Sequence, residues 1–249
     1  MVKVAICLYG QARNYLEGYK AIKKIIDDNQ TCTFDIFYHV WFKDTIGNEI
    51  EKYESSPWRK IPEKELIISR TILEDLNSLY KPIKFKVECP RYFDNDIYKN
   101  TEIFYRTSYD NQKNINNTTS QMYSRSEVRN LLATHDEKYD IVITTRFDYV
   151  HTVHIDIEKL NLQKTYVSAM VLPRKFISDN FIIMPYQVYL KTFNIYNRLI
   201  ELLENKEVDL KMTELGENFC FNAEELIFAS YIESIGSIDD LIYTSSIHC

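Results

Sequence analysis

The amino-acid sequence predicts a single α/β domain whose central sheet is mostly parallel and flanked by helices. Residues 2–8 and 34–40 are short apolar runs typical of buried strands, and residues 14–29 between them carry apolar side chains at helical spacing. A strand, a helix and a second strand within 40 residues form a βαβ unit, which requires parallel strands. The chain has 249 residues and shows no repeat or linker, so residues 1–249 are expected to form one domain.

The other elements follow in order along the chain. Asn14 is the expected N-cap of the first helix. The polar stretch 43–62 is predicted to be a loop, and residues 90–119, rich in Asn, Asp and Tyr, an irregular insertion. Ser124 and Glu127 have the spacing of a capping box, which predicts a helix that ends near residue 138. The remaining predictions are helices at 71–80, 186–204 and 222–235 and strands at 83–88, 139–145, 165–172 and 181–184.

Composition excludes several classes of protein. There are five glycines, where average usage would give roughly 17, and no two have the spacing of a dinucleotide fingerprint or a Walker loop. The formal net charge of −6 argues against a nucleic-acid binder held by phosphate contacts. No apolar run approaches the ~18 residues of a membrane span, so no transmembrane segment is expected. The five cysteines form no CxxC pair, which favours reduced thiols in the cytoplasm.

A first polar cluster follows the first predicted strand, at the sheet edge where open α/β sheets bind ligands. It consists of Tyr9, Gly10, Gln11 and Arg13. Gly10 allows a sharp turn, Gln11 can recognise a base edge or a hydroxyl, and Arg13 begins a helix whose N–H groups favour anions. This cluster suits a diphosphate, although a plain strand-to-helix turn with a surface arginine has the same pattern.

A second cluster, Arg146-Phe147-Asp148, ends the predicted strand 139–145. A carboxylate at this point can hold a divalent cation, which in turn holds phosphate oxygens. Arg146 can bind phosphate or orient Asp148. The alternative is a buried ion pair that closes the strand.

Four segments carry a family resemblance: residues 10–13, 34–41, 120–124 and 139–148. In sequence and order they resemble nucleotide-sugar glycosyltransferases with the GT-A fold, and most of all a small viral and bacterial group that builds surface glycans. That group makes lipopolysaccharide-type and large-virus capsid glycans. The resemblance implies a GT-A-like (Rossmann-like) domain in which residues 1–150 bind the nucleotide sugar and residues 151–249 face the acceptor.

The resemblance also implies roles for individual residues. In such enzymes a strand-end Asp-x-Asp binds Mn²⁺ or Mg²⁺ together with the donor diphosphate. Here Arg146 stands at the first Asp position, so Asp148 is the expected metal ligand. The implied nucleotide-sugar contacts are Tyr9, Gly10, Gln11, Arg13, Gln121, Ser124 and Arg146.

Two acidic residues are candidates for the catalytic base. An inverting transfer to a hydroxyl needs a base within hydrogen-bonding distance of that hydroxyl. Asp179 is the first candidate because it precedes a strand among small polar residues, and an Asx-turn explains it equally well. Glu224 is the second candidate, whereas Glu225 fits a capping box with Asn222.

The histidines offer little further evidence for a metal site. His151 and His154 lie three residues apart in an extended segment and so face opposite sides. His248 is a candidate third ligand through the resemblance alone. His39 is expected to fill a partly buried position, and Trp41 to lie in the core or line the pocket.

The sequence thus predicts a glycosyltransferase that uses a UDP- or GDP-linked sugar, a glycan or glycolipid acceptor and Mn²⁺ or Mg²⁺. The expected location is the cytoplasm, or the host cytoplasm for a viral protein. Two alternatives remain open. One is a non-catalytic module that binds sugar nucleotides or glycans. The other is a metal-dependent nucleotidyltransferase or phosphohydrolase, which needs two or three convergent acids.

Overall fold

The computed structural model describes residues 1–43, 71–94, 96–106, 112–150, 154–168 and 177–244. The predicted loop 43–62, apart from its first residue, lies outside this part of the chain, as does the end of the predicted strand 165–172. His151 and His248 also lie outside it.

Seven strands of the described residues form one sheet in the order β3-β2-β1-β4-β6-β5-β7. β1 is parallel to its neighbours β2 and β4, and β3 is parallel to β2. β6 is antiparallel to β4 and β5, whereas β7 is parallel to β5. The sheet is therefore mostly parallel, as predicted. The strands are β1 (Lys3–Gln11), β2 (Thr33–Trp41), β3 (Lys84–Glu88), β4 (Ile141–Arg146), β5 (Thr165–Ser168), β6 (Phe181–Pro185) and β7 (Leu241–Thr244).

Helices cover both faces of this sheet. Within the described residues, none of them is both long enough and apolar enough for a membrane span. They are α1 (Tyr15–Asp28), α2 (Ile72–Tyr80), α3 (Glu102–Tyr105), α4 (Gln112–Ala133), α5 (Tyr186–Thr192), α6 (Leu199–Glu204), α7 (Lys206–Glu214) and α8 (Ala223–Ile235).

The side chains of β1 alternate between two apolar layers. Val4 and Ile6 pack in the layer that includes α1 and α2, and Ala5 and Cys7 pack in the layer that includes α4, α5 and α8. All four are fully buried. Since burial of a Val- or Ile-sized side chain stabilises a fold by about 1.5–3 kcal/mol, β1 is firmly anchored between the layers.

Most predicted elements are present within a few residues of their expected bounds. At the start of α8, the Asn222 side chain accepts a hydrogen bond from the Glu225 N–H, which confirms the predicted N-cap. Asn14 does occupy the N-cap position of α1, and its carbonyl oxygen accepts from the Gly18 N–H, but its backbone is left-handed (φ 51°) and its side chain makes no capping hydrogen bond. A capping side chain normally comes from a residue with an extended backbone, which explains why the Asn14 side chain makes no capping bond. α7 and β7 were not predicted.

The boundary of α4 corrects two predictions. The helix begins at Gln112, so Ser124 lies in its middle and caps nothing, and the segment 90–119 contains a 3₁₀ turn, α3 and the start of α4. The reason is that polar residues interrupt the apolar side chains on the buried side of α4, such as Ile115, Met122 and Val128. Thr119, Ser124 and Arg125 are at most 1% exposed, and such residues give no apolar helical pattern.

The predicted helix 186–204 is wrong as a single helix. It is divided into α5, a short 3₁₀ turn and α6. Ser126 of α4 enters the break, where its hydroxyl donates to the Phe193 carbonyl oxygen at 3.0 Å and accepts from the Tyr196 N–H at 3.0 Å. A side chain that satisfies backbone groups in this way interrupts the ladder of intrahelical hydrogen bonds.

Candidate functional site

The two predicted clusters meet at the carboxyl edge of the sheet. Tyr9 of β1 and Arg146 of β4 are paired in register. β6 is antiparallel to β4 and therefore begins at this edge, which places Asp179 and Asn180 beside them. Near the end of β1, Gly10 has a φ of +97°, a conformation that glycine adopts without strain.

Asp148 lies between two arginines from different elements. Arg146 binds it in a bidentate manner, with Nε–Oδ1 at 2.8 Å and Nη2–Oδ2 at 2.9 Å. Arg13, which precedes α1, donates from Nε to Oδ2 at 2.7 Å. The Asp148 residue is only 1% exposed, whereas the side chains of Arg13 and Arg146 are 15% and 25% exposed. The structure therefore contains the buried ion pair that the sequence left as an alternative, with Arg13 added to it.

The two neighbouring arginines keep the Asp148 side chain ionised. Burial alone would raise its pKa, but the adjacent Arg146 and Arg13 outweigh burial and hold the pKa below the usual range. The same carboxylate raises the pKa of Arg146 against the effect of burial. Asp148 and Arg146 are thus both charged at neutral pH.

This arrangement does not fit a divalent cation. Mn²⁺ and Mg²⁺ take several oxygen ligands, and both oxygens of Asp148 already accept hydrogen bonds from guanidinium groups. The part of the chain that the structure describes contains no group of three or more His, Cys, Asp or Glu side chains able to hold a metal ion. The prediction of Asp148 as a metal ligand, with Mn²⁺ or Mg²⁺ as cofactor, is therefore not supported by the described donor groups.

Asp179 lies just before β6, and both its side chain and its backbone carbonyl group are held by hydrogen bonds. Its Oδ2 accepts a hydrogen bond from Gln121 Nε2 at 2.7 Å and lies 3.9 Å from Arg146 Nη1. Its carbonyl oxygen accepts hydrogen bonds from the Tyr9 hydroxyl and from Arg125. Gln121 and Tyr9 therefore position Asp179, and all three lie at the same edge.

Arg125 is a site residue that the sequence analysis missed. It is 1% exposed, its guanidinium lies 3.9 Å from the centre of the Tyr9 ring, and Nη2 donates to the Tyr9 hydroxyl. Its Nε and Nη1 have no hydrogen-bond partner in the described part of the chain. No sequence signal marks it, because a lone arginine within a polar helix is usually a surface residue.

Glu224, at the start of α8, is the most strongly perturbed acid of the site. Its pKa is raised to about 7, first by burial and then by the negative charges of Asp179 and Glu225, while Arg125 opposes the shift. A carboxyl group with a pKa near neutrality suits proton transfer at physiological pH. The structure thus brings the two predicted acids, Asp179 and Glu224, close enough to interact electrostatically.

Ser124 supports the edge through a buried chain of hydrogen bonds. Its hydroxyl accepts from the Gly10 N–H at 3.0 Å and lies 2.7 Å from His39 Nδ1, and His39 Nε2 lies 3.0 Å from Glu88 Oε2. These contacts assign a neutral His39 that donates from Nε2 to Glu88 and accepts from Ser124 at Nδ1. The buried Ser124 hydroxyl therefore holds the backbone turn at Gly10 in place.

Of the other residues that the sequence singles out, Gln11 lies at this edge, whereas Trp41 belongs to the core and His154 to the surface. Gln11 is the last residue of β1 and is paired in register with Trp41. Trp41 is buried and stacks on Tyr123 with ring centres 5.6 Å apart, as expected for a core position. His154 lies away from the site at the surface, where its Nδ1 is 2.9 Å from Asp28 Oδ2.

Comparison with known proteins gives distant structural similarities. No protein-family model and no protein with a curated function matches the sequence. The fold is similar to the apo form of mouse xyloside xylosyltransferase 1, with a TM-score of 0.44 and 10% identity over 98% of this chain and 85% of that one. It is also similar to the galactosyltransferase LgtC in complex with donor and acceptor sugar analogues, with a TM-score of 0.39 and 10% identity over 97% and 73% of the two chains. An active-site mutant of LgtC gives the same TM-score and identity over 97% and 72%. TM-scores this low carry no argument about function.

Proposed function

We propose that this protein is a glycosyltransferase that moves a sugar from a UDP- or GDP-linked donor to a hydroxyl group of a glycan or glycolipid. One observation carries the proposal: Arg13 and Arg146 lie at the same sheet edge as two interacting acids, Asp179 and Glu224. An inverting transfer needs cations beside the leaving diphosphate and a base with a pKa near neutrality, and this edge offers both.

The donor belongs to the side of the edge formed by residues 1–150. Arg13 and Arg146 face its diphosphate, because a guanidinium presents several N–H donors to phosphate oxygens. Gly10 and Gln11 lie beside the nucleotide, and the buried Tyr9 supports them from the core. The Gly10 N–H donates to the Ser124 hydroxyl. Gly10 therefore contributes through the turn that it allows and through the space that its lack of a side chain leaves for the ligand.

The acceptor approaches from residues 151–249, which supply Asp179 and Glu224. We assign Glu224 as the base, since Gln121 and Arg146 hold the Asp179 carboxylate. The acceptor oxygen forms a new bond to the anomeric carbon, and its proton moves to the Glu224 carboxylate. The bond from the anomeric carbon to the diphosphate breaks, and its electron pair leaves with the diphosphate.

The cellular setting is part of the proposal. Among the described residues, Cys7, Cys32 and Cys89 are free thiols. Free thiols persist in a reducing compartment, which supports a cytoplasmic reaction.

The test is incubation of the full chain with individual UDP- and GDP-sugars, with and without simple glycoside acceptors, followed by NMR. The expected products are a nucleoside diphosphate and a glycoside, or slowly released sugar without acceptor. Glu224→Gln should abolish both, whereas Glu233→Gln on the same helix, which contacts Asn205 and Arg198, should change neither. Binding without turnover would favour a binding module, and phosphate or pyrophosphate release would favour a hydrolase or nucleotidyltransferase. Either result overturns the proposal.

A further inference from the structure

We propose that Arg13 and Arg146, held in place by Asp148, bind the donor diphosphate instead of a divalent cation, so that donor binding is independent of metal. This inference rests on the proposed function and specifies how its donor is held.

The first argument is the net charge of the three side chains. Two guanidinium groups and one carboxylate give these three side chains a net charge of +1 at the edge where the diphosphate is proposed to lie. The carboxylate is buried while both arginines keep part of their surface exposed. A ligand at the edge therefore meets the cations rather than the anion.

The second argument is the repulsion that a metal ion would meet. An ion bound to either oxygen of Asp148 would lie next to a guanidinium already hydrogen-bonded to that oxygen. Like charges a few ångströms apart in a partly buried site repel strongly. Asp179, another acid at this edge, accepts from Gln121 and faces Arg146, so it does not complete a metal site.

The third argument is the rigidity of the guanidinium pair. The bidentate contact fixes the plane of the Arg146 fork, and the contact to Oδ2 fixes Arg13 beside it. Asp148 is thus a positioning residue. It holds two cations, one from the turn before α1 and one from the end of β4, at a fixed spacing before the ligand arrives, which lowers the entropy lost on binding.

The metal comparison uses the wild-type full chain and two probes, UDP and GDP. Their affinities are measured by calorimetry in EDTA and in Mn²⁺. The expected result for the nucleotide that binds is a dissociation constant that differs by less than about fivefold between the two buffers. Tighter binding in Mn²⁺ by a larger factor overturns the inference and leaves the proposed function standing. Absence of binding by both nucleotides in both buffers overturns the proposed function itself.

A variant tests the role of the guanidinium groups. Arg146→Gln should weaken binding in EDTA by about 10- to 100-fold, because a charged hydrogen-bonding group to phosphate is lost. Arg198→Gln, a matched change at an arginine bonded to Glu201 and Glu233 away from the edge, should leave the affinity unchanged. Unchanged affinity in Arg146→Gln would overturn the inference. The wild-type comparison needs no variant, so it decides the question even where Arg146→Gln fails to fold.

Discussion

Gly18 of α1 packs directly against the backbone of Phe147, so closely that a Cβ atom at position 18 would lie 1.8 Å from the Phe147 carbonyl oxygen. Phe147 immediately precedes Asp148, and Arg13 lies two residues before the start of α1. The close approach of helix and strand end therefore sets the distance between Arg13 and Asp148. A glycine within a helix is normally unfavourable by about 1 kcal/mol, and here it is required by the contact.

Gly18→Ala tests this relationship. In most helices the change stabilises the protein, but here the methyl group must push α1 away from β4, and we expect a loss of about 1–3 kcal/mol in the free energy of unfolding. The loss of the Arg13–Asp148 contact should also weaken UDP or GDP binding. Urea denaturation and calorimetry measure the two effects. Lys20→Ala, on the exposed side of α1, should change stability by less than about 0.5 kcal/mol. A stabilised Gly18→Ala protein would contradict the prediction.

Glu224→Gln should separate a catalytic role from a structural one. If the carboxylate removes the acceptor proton, kcat should fall by about 100- to 10,000-fold. The folded state raises the pKa of Glu224 to about 7, so at pH 8 the fold must hold a charged group that it disfavours. We therefore expect Tm at pH 8 to rise by about 3 °C in the variant. A calorimetric scan beside an activity assay checks both, and a joint loss of activity and stability would indicate a structural role.

The pH dependence of the reaction follows from the same group. The base must be ionised, so kcat/KM should increase with pH and level off above about pH 7. The groups that influence Glu224 are Asp179, Glu225 and Arg125; the two acids raise its pKa and Arg125 lowers it. Asp179→Asn removes one negative charge and should shift the acid limb of the profile to lower pH. A limb that stays in place would show that Asp179 does not act on the base.

The fold was largely predictable because its sheet and α8 follow simple patterns. The β1 strand is a continuous apolar run, and α8 has its N-cap at Asn222. The closeness of Arg13 and Asp148 was predictable too, since both follow parallel strands and such strands end at one edge. By contrast, Arg125 and the first half of α4 gave no signal. Polar residues such as Thr119, Ser124 and Arg125 interrupt the buried apolar side of this helix, and Arg125 bonds to residues far away in the sequence.

Ser124→Ala tests how the turn at Gly10 is fixed. The hydroxyl serves two buried groups at once, the Gly10 N–H and His39 Nδ1. Loss of a partner leaves a buried polar group unsatisfied at about 1–3 kcal/mol each, so we expect a loss of about 2–4 kcal/mol in the free energy of unfolding. Urea denaturation measures it. Thr213→Ala, whose exposed hydroxyl donates only to the Asp209 carbonyl oxygen of its own helix, should cost less than about 0.5 kcal/mol.

The ionisation of His39 provides the last test of this hydrogen-bond chain. Burial lowers the pKa of His39 to about 4, although Glu88 opposes the shift. In the unfolded chain a histidine titrates near 6.5, so the unfolded state takes up a proton first as the pH falls. The contribution of His39 to stability is therefore complete above about pH 6.5 and is lost as the pH falls towards 4. Ring-nitrogen NMR shifts should show a neutral ring with its proton on Nε2 at pH 5.5. A folded protein whose His39 titrates near 6.5 would contradict the burial, and a neutral ring with its proton on Nδ1 would contradict the assigned tautomer.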